Sequence, residues 1–175
     1  MVITDRYDHL IDEKNRLSIP SQIRSAMDPH LDGNAFYLVP QGNYLQLIPE
    51  KLFERMAAFS RTGISPTSPI AKARRMLFAN ASRIEPDKQG RVIIPERFIE
   101  GSKTKDAFSK VKIGREVTLV GANDRVELWN RAEFVEQLNV TPEEALEISK
   151  VMEDLFAEAP PLPGPTMQPP VSGSN

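Results

Sequence analysis

A nine-residue phrase occurs twice in this chain, once as Asp12-Glu13-Lys14-Asn15-Arg16-Leu17-Ser18-Ile19-Pro20 and again as Asp87-Lys88-Gln89-Gly90-Arg91-Val92-Ile93-Ile94-Pro95. Both copies read Asp, three spacers, Arg, an aliphatic residue, any residue, Ile, Pro. The third spacer is Asn15 or Gly90, the residue types that best tolerate a positive φ. Asp at the start of a turn accepts backbone hydrogen bonds, and Asn or Gly takes the left-handed position that ends it. A type I turn followed by such a residue is a standard hairpin closure. Arg16 and Arg91 then stand first on outgoing strands. In the first copy, Leu17 and Ile19 alternate with Arg16 and Ser18, the period of a half-buried strand.

The surrounding chain repeats with the phrase. Gly33 and Gly114, Leu45 and Val126, and Phe53 and Phe134 are each 81 residues apart, whereas Asp12 and Asp87 are 75 apart. The second half therefore holds six more residues, which fall in the polar stretch Gly101 to Asp106. A loop absorbs such an insertion at small cost. A duplicated unit of roughly 50 residues is too small to be stable alone. The two copies must pack together or pair with other chains, and the outward-facing Ile93 and the short strands predict a homo-oligomer larger than a dimer.

Charge is unevenly divided. The 175 residues sum to −2, but residues 141–175 hold six acids and one base, leaving residues 1–140 at +3. Any nucleic-acid contact must therefore come from a local basic face rather than from bulk charge. Hydrophobic residues make up 40% of the chain, enough for a real core, and there is no cysteine, which excludes disulfide and thiolate chemistry and favours a reducing compartment. The N-terminal residues lack a signal-peptide pattern and no apolar run is long enough to span a membrane, so a cytoplasmic protein is expected.

In chain order, strands are predicted at 6–11, 16–19, 35–39 and 44–48. Pro49 opens a helix with Leu52, Phe53, Met56 and Phe59 on one face. Residues 60–69 form a linker. Ser68-Pro69 starts a helix that carries Ile70, Ala73, Leu77 and Ala81 in one stripe and Lys72, Arg74 and Arg75 beside it. The order then repeats: strands at 82–86, 91–94, 116–121 and 125–129, with a short helix from Pro95 to about Ile99. Asn130 and Glu133 form a capping-box pattern, as do Thr141 and Glu144 ahead of a last helix whose apolar face is Ile148, Met152, Leu155 and Phe156. This divides the chain into repeats at 6–51 and 81–131, a C-terminal helix at 141–158, and a Pro-rich tail at 160–175 whose composition predicts disorder.

The catalytic inventory is thin. His9 and His30 have no metal-ligand spacing, and no phosphate loop, nucleophile elbow or dinucleotide fingerprint is present. No enzyme activity, metal or cofactor is expected. Ser18 beside Arg16 lacks a base, and Ile93 replaces it in the second copy, so it reads as a surface strand serine. The recurring Asp-x-x-x-Arg pair is the positive signal. Taken as architecture alone, Asp12 and Asp87 cap turns and the arginines make exposed ion pairs worth about 0–1 kcal/mol. That does not account for Lys14 and Lys88 beside them. An arginine on a rigid hairpin suits DNA, because its planar fork fits phosphate or guanine edges. Arg16, Arg91, Lys14 and Lys88 are thus the candidate DNA contacts, Asp12, Asn15, Asp87 and Gly90 the turn architecture. Lys72, Arg74 and Arg75 are a second candidate for DNA or for a neighbouring subunit.

The phrase resembles the AbrB-type swapped-hairpin DNA-binding motif. Its tandem arrangement, joined by the Lys72 to Arg75 helix and closed by Glu127-Leu128-Trp129-Asn130, resembles the MraZ family over roughly residues 3–138. The resemblance implies an α+β fold in which two pseudo-symmetric units make a small β-barrel-like core with helices around it. It also implies a bacterial, nucleoid-associated transcriptional regulator, a ring-shaped oligomer acting on repeated promoter boxes of the division and cell-wall gene cluster. Asp12, Arg16, Asp87 and Arg91 occupy the signature positions, and Asn15 departs from the usual glycine. The alternative is an antitoxin of the same hairpin superfamily, binding a toxin through its C-terminal segment. The duplication argues against that, since an antitoxin needs one hairpin copy per chain.

Overall fold

The computed structural model describes residues 2–59, 67–101 and 111–158. Most of the expected linker, most of the six-residue insertion and the Pro-rich tail lie outside them. The chain divides into two units, residues 1–137 and 138–175.

The first unit is α+β. Its elements are β1 (Arg6–Leu10), β2 (Arg16–Ser18), α1 (Ser21–Ala26), β3 (Phe36–Gln41), β4 (Tyr44–Pro49), α2 (Glu50–Phe59) and α3 (Pro69–Asn80), followed by β5 (Ser82–Ile84), β6 (Arg91–Ile93), α4 (Glu96–Ile99), β7 (Glu116–Gly121), β8 (Val126–Asn130) and α5 (Arg131–Leu138). Six strands form one antiparallel sheet in the order β1-β7-β8-β4-β3-β5, while β2 and β6 form a separate two-stranded ribbon. Each repeat lends its first strand to the other: β1 pairs with β7 and β5 with β3. Leu17 faces Val92 across the ribbon and Gln46 faces Glu127 across the sheet centre. In each pair the two residues hold the same position of their own repeat, so a pseudo-two-fold axis runs through both contacts.

The arrangement follows from alternation. The side chains of Leu17, Val92, Leu38, Leu45, Leu47, Leu119, Val126 and Leu128 are fully buried in one cluster that joins the inner face of the ribbon to one face of the sheet. Burying each such side chain contributes about 1.5–3 kcal/mol. Neither repeat could supply this core alone. On the sheet's other face, Val39, Ile48 and Phe53 form a second cluster with Tyr37, Leu52, Leu77 and Ala81. Tyr37 stacks on Phe53 at 4.1 Å.

The α+β fold of two pseudo-symmetric units is as expected, its sheet open and ending in β1 and β5. Three expectations need correction. Pro49 does not open α2; it is the last residue of β4, paired with Phe36, at a point where the pairing with β8, which covers only Leu45 to Leu47, has ended. The stripe on α3 is only half buried: Leu77 and Ala81 pack on the second cluster, whereas Ile70 is 64% exposed and Ala73 is exposed. Only the last turns of α3 reach the sheet. The capping box at Asn130 is incomplete, because Asn130 Oδ1 accepts from Ala132 and Glu133, but the Glu133 carboxylate accepts from Asn43.

The second unit carries α6 (Pro142–Ala157), opened by a complete capping box between Thr141 and Glu144. Its apolar row, Leu146, Ile148, Val151, Met152, Leu155 and Phe156, is exposed along its whole length, Phe156 to 80%.

Candidate nucleic-acid interface

The two turns are built alike. Asp12 accepts the Asn15 N–H on its backbone carbonyl at 2.9 Å and donates its own N–H to Arg16 at 3.0 Å. Asp87, Gly90 and Arg91 repeat this with both bonds at 2.8 Å. Asn15 takes φ 60° and Gly90 φ 76°, the left-handed conformation at the end of each turn. The carboxylates divide their work. Oδ1 of Asp12 accepts the N–H groups of Lys14 and Arg16, both at 2.9 Å, and Oδ1 of Asp87 accepts those of Gln89 and Arg91, also at 2.9 Å. Oδ2 holds the arginine: Arg16 donates Nε and Nη2 to Asp12 at 2.7 Å, and Arg91 donates Nε at 2.9 Å and Nη2 at 2.7 Å to Asp87. Each guanidinium is therefore gripped along the edge made by Nε and Nη2. The Nη1 side of each guanidinium lies outside that grip, and a planar fork reads guanine O6 and N7 through two parallel N–H donors.

These bonds stabilise ionised carboxylates. The Arg91 guanidinium, with the backbone N–H groups of Arg91 and Gln89, holds the Asp87 carboxyl down at about 2. The Asp12 carboxyl is also lowered, first by the backbone N–H of Arg16, then by its guanidinium and the N–H of Lys14.

The turns also fix each other. Ile19 donates its N–H to the carbonyl of Gly90 at 2.9 Å, and Ile94 donates to that of Asn15 at 2.8 Å. In the ribbon between them, Arg16 faces Ile93 and Ser18 faces Arg91. Because Leu17 and Val92 point inward, these four residues share the outer face. Ser18 is exposed and Ile93 is 64% exposed. Lys14 and Lys88 are exposed at the turn tips.

Two arginines missed by the sequence reading buttress the turns. Arg24 donates Nε to the Ile19 carbonyl at 3.1 Å and lies against Gly90. Arg115 donates Nη1 to the Asp12 carbonyl at 2.6 Å and Nη2 to Asn15 Oδ1 at 3.2 Å. The repeat alignment hides them, because the equivalent positions hold Ile99 and Asn34.

Lys72, Arg74 and Arg75 sit together on α3, not on the ribbon. Lys72 and Arg75 are exposed, near the exposed Ile70 and the partly exposed Phe78, whose ring meets Phe53 edge-on at 5.7 Å. His9 and His30 are not brought into a ligand set: among the described residues, no group of His, Cys, Asp and Glu could hold a metal ion. No helix of the described residues is long and apolar enough to cross a membrane.

Comparison with known proteins identifies the family. Residues 77–153 match a family described as "MraZ protein, putative antitoxin-like". A protein of Mycoplasmopsis synoviae named transcriptional regulator MraZ is 31% identical over 150 residues, covering 85% of this chain and 93% of that protein. The proteins of the same name from Pediococcus pentosaceus and Clostridium acetobutylicum are each 31% identical, over 154 and 137 residues, covering 85% and 74% of this chain and 94% and 82% of their own lengths. With relatives so matched across both repeats and nearly end to end, the chain belongs to the MraZ family of transcriptional regulators.

Proposed function

We propose that this chain is a sequence-specific DNA-binding regulator of transcription. It acts in the cytoplasm on the nucleoid, at repeated promoter boxes of the division and cell-wall gene cluster. The observation that carries the reading is the ribbon. It presents Arg16 and Arg91 on one outer face, each held along one edge by an aspartate, with Lys14 and Lys88 exposed beside them. A two-stranded ribbon fits the major groove of B-DNA. A guanidinium held in place loses less freedom on binding, so more of the contact energy appears as affinity. The test is a titration of labelled DNA from upstream of the protein's own gene, with wild type, Arg16→Ala, Arg91→Ala and the double variant at two salt concentrations. Unchanged affinity in the double variant overturns the ribbon as the interface.

One ribbon binds weakly, and several on one duplex gain by effective concentration. The assembly is a ring-like homo-oligomer in which α6 of one copy covers α3 of the next. Charge and apolarity match: α6 carries Glu143, Glu144, Glu147, Glu153 and Asp154 against Lys150, with an exposed apolar row, while α3 carries Lys72, Arg74 and Arg75 with exposed Ile70 and Phe78. A head-to-tail contact of unlike surfaces closes into a ring when the rotation permits.

The exposed row of α6 also supports the second reading, an antitoxin that binds a toxin there. Co-purification of a small protein in equal amount with the full chain, lost with Leu155→Asp, favours it over the self-contact.

A further inference from the structure

We propose that the ribbon reads its two half-contacts unequally, because Ile93 takes the 5-methyl group of a thymine beside the base read by Arg16, and Ser18 makes no such contact beside Arg91. This rests on the DNA-binding reading above. The outer face of the ribbon holds four side chains in two cross-strand pairs, Arg16 with Ile93 and Arg91 with Ser18. The pseudo-two-fold axis exchanges the arginines, and it also exchanges Ile93 with Ser18. It therefore relates two like cations and two unlike neighbours.

Ile93 is 64% exposed on a face otherwise polar and charged. Its backbone needs no apolar side chain there, since Ser18 serves in the equivalent place. It does not fill the core, whose ribbon contribution comes from Leu17 and Val92. Cross-strand neighbours stand about 4.5–5.5 Å apart at Cβ, and base pairs rise about 3.4 Å per step. When Arg16 reaches a guanine edge, Ile93 thus lies one or two steps away in the same groove. The thymine methyl is the apolar group the major groove offers, and aliphatic side chains read it by contact. Ser18 hydrogen-bonds to either kind of base and discriminates little.

Selection from a pool of randomised duplexes on the full-length chain supplies the probe. Each thymine of the selected duplex is then replaced in turn by deoxyuridine, which keeps the base pair and removes only the methyl. One replacement per site, one or two steps from a guanine, should weaken wild-type binding about three- to tenfold. Ile93→Ser should bind the thymine and deoxyuridine duplexes equally, and Ser18→Ile should add a second methyl-sensitive position. Wild-type binding indifferent to every methyl overturns the inference while leaving the DNA-binding reading intact. So does a smaller oligomer for Ile93→Ser with methyl sensitivity retained, which makes Ile93 a subunit contact. If the chain selects no duplex, the DNA-binding reading fails and this one with it.

Discussion

Ile19 of the first repeat and Gly90 of the second are joined by a 2.9 Å backbone hydrogen bond, so the turn of one repeat anchors the outgoing strand of the other. Gly90 combines a φ of 76° with close approach to Arg24, whose Nε would lie 2.5 Å from an added Cβ. Gly90→Ala must shift Arg24 off the Ile19 carbonyl and strain the backbone. It should cost about 1–3 kcal/mol, lowering the melting temperature by roughly 2–4 °C per kcal/mol. Asn15→Gly trades the Arg115 bond for an unstrained left-handed residue and should change stability by less than about 1 kcal/mol. Thermal unfolding of both variants checks the pair.

Acid should loosen the second turn in a defined window. The Asp87 carboxyl is depressed from 3.8 to about 2 in the fold, so its contribution is fully present above its unfolded value and is lost as pH falls through the folded one. Wild-type stability should therefore fall between about pH 4 and pH 2, with Asp87→Asn less stable at neutral pH and flatter through that window. Chemical denaturation at a series of pH values gives the comparison.

Removing a turn aspartate and removing its arginine should have different consequences. Asp12→Ala leaves the N–H groups of Lys14 and Arg16 without their acceptor and should lower the melting temperature by a few degrees before it affects anything else. Arg16→Ala should leave the fold nearly as stable. It should weaken DNA binding evenly across sequences, with a salt slope smaller by about one if the guanidinium meets phosphate, or relax specificity at one base by about 1–3 kcal/mol if it meets guanine.

Much of this was legible in the sequence, and what was not has a physical cause. The repeated Asp and the Asn or Gly before each Arg specify the turn, because local backbone chemistry alone decides it. The buried pair Leu17 and Val92 follows from strand alternation. The strand partners are another matter: β1 and β7 carry no local mark of each other, and a turn that would ordinarily close a hairpin sends its two arms to different places. Arg24 and Arg115 escaped because they stand at positions that the repeats do not share, Arg115 bonding across the pseudo-two-fold axis and Arg24 bonding Ile19 while lying against Gly90 of the other repeat. Ile70 and Ala73 were misjudged because helical spacing marks a face without marking how far along that face the sheet extends.

Self-association should depend on the row of α6. Met152→Asp with Leu155→Asp places two more charges on an acidic helix and should reduce the oligomer to smaller species by light scattering, with the folded signal of residues 1–137 retained. Exchanging charges, with Glu147→Lys and Glu153→Lys on α6 and Lys72→Glu on α3, should restore assembly only when both helices are changed.

The exchange of first strands has a consequence for synthesis. Leu10 finds its partner Glu116 only after more than a hundred further residues have been made, a delay of roughly 5–20 s at the ribosome. During that interval β1 has no strand partner and Leu17 lacks Val92. Once two neighbouring chains are both complete, each holds the β6 and β7 that the other's β2 and β1 await. Exchange at that point, a form of domain swapping, would yield a dimer that makes the same strand pairings between chains.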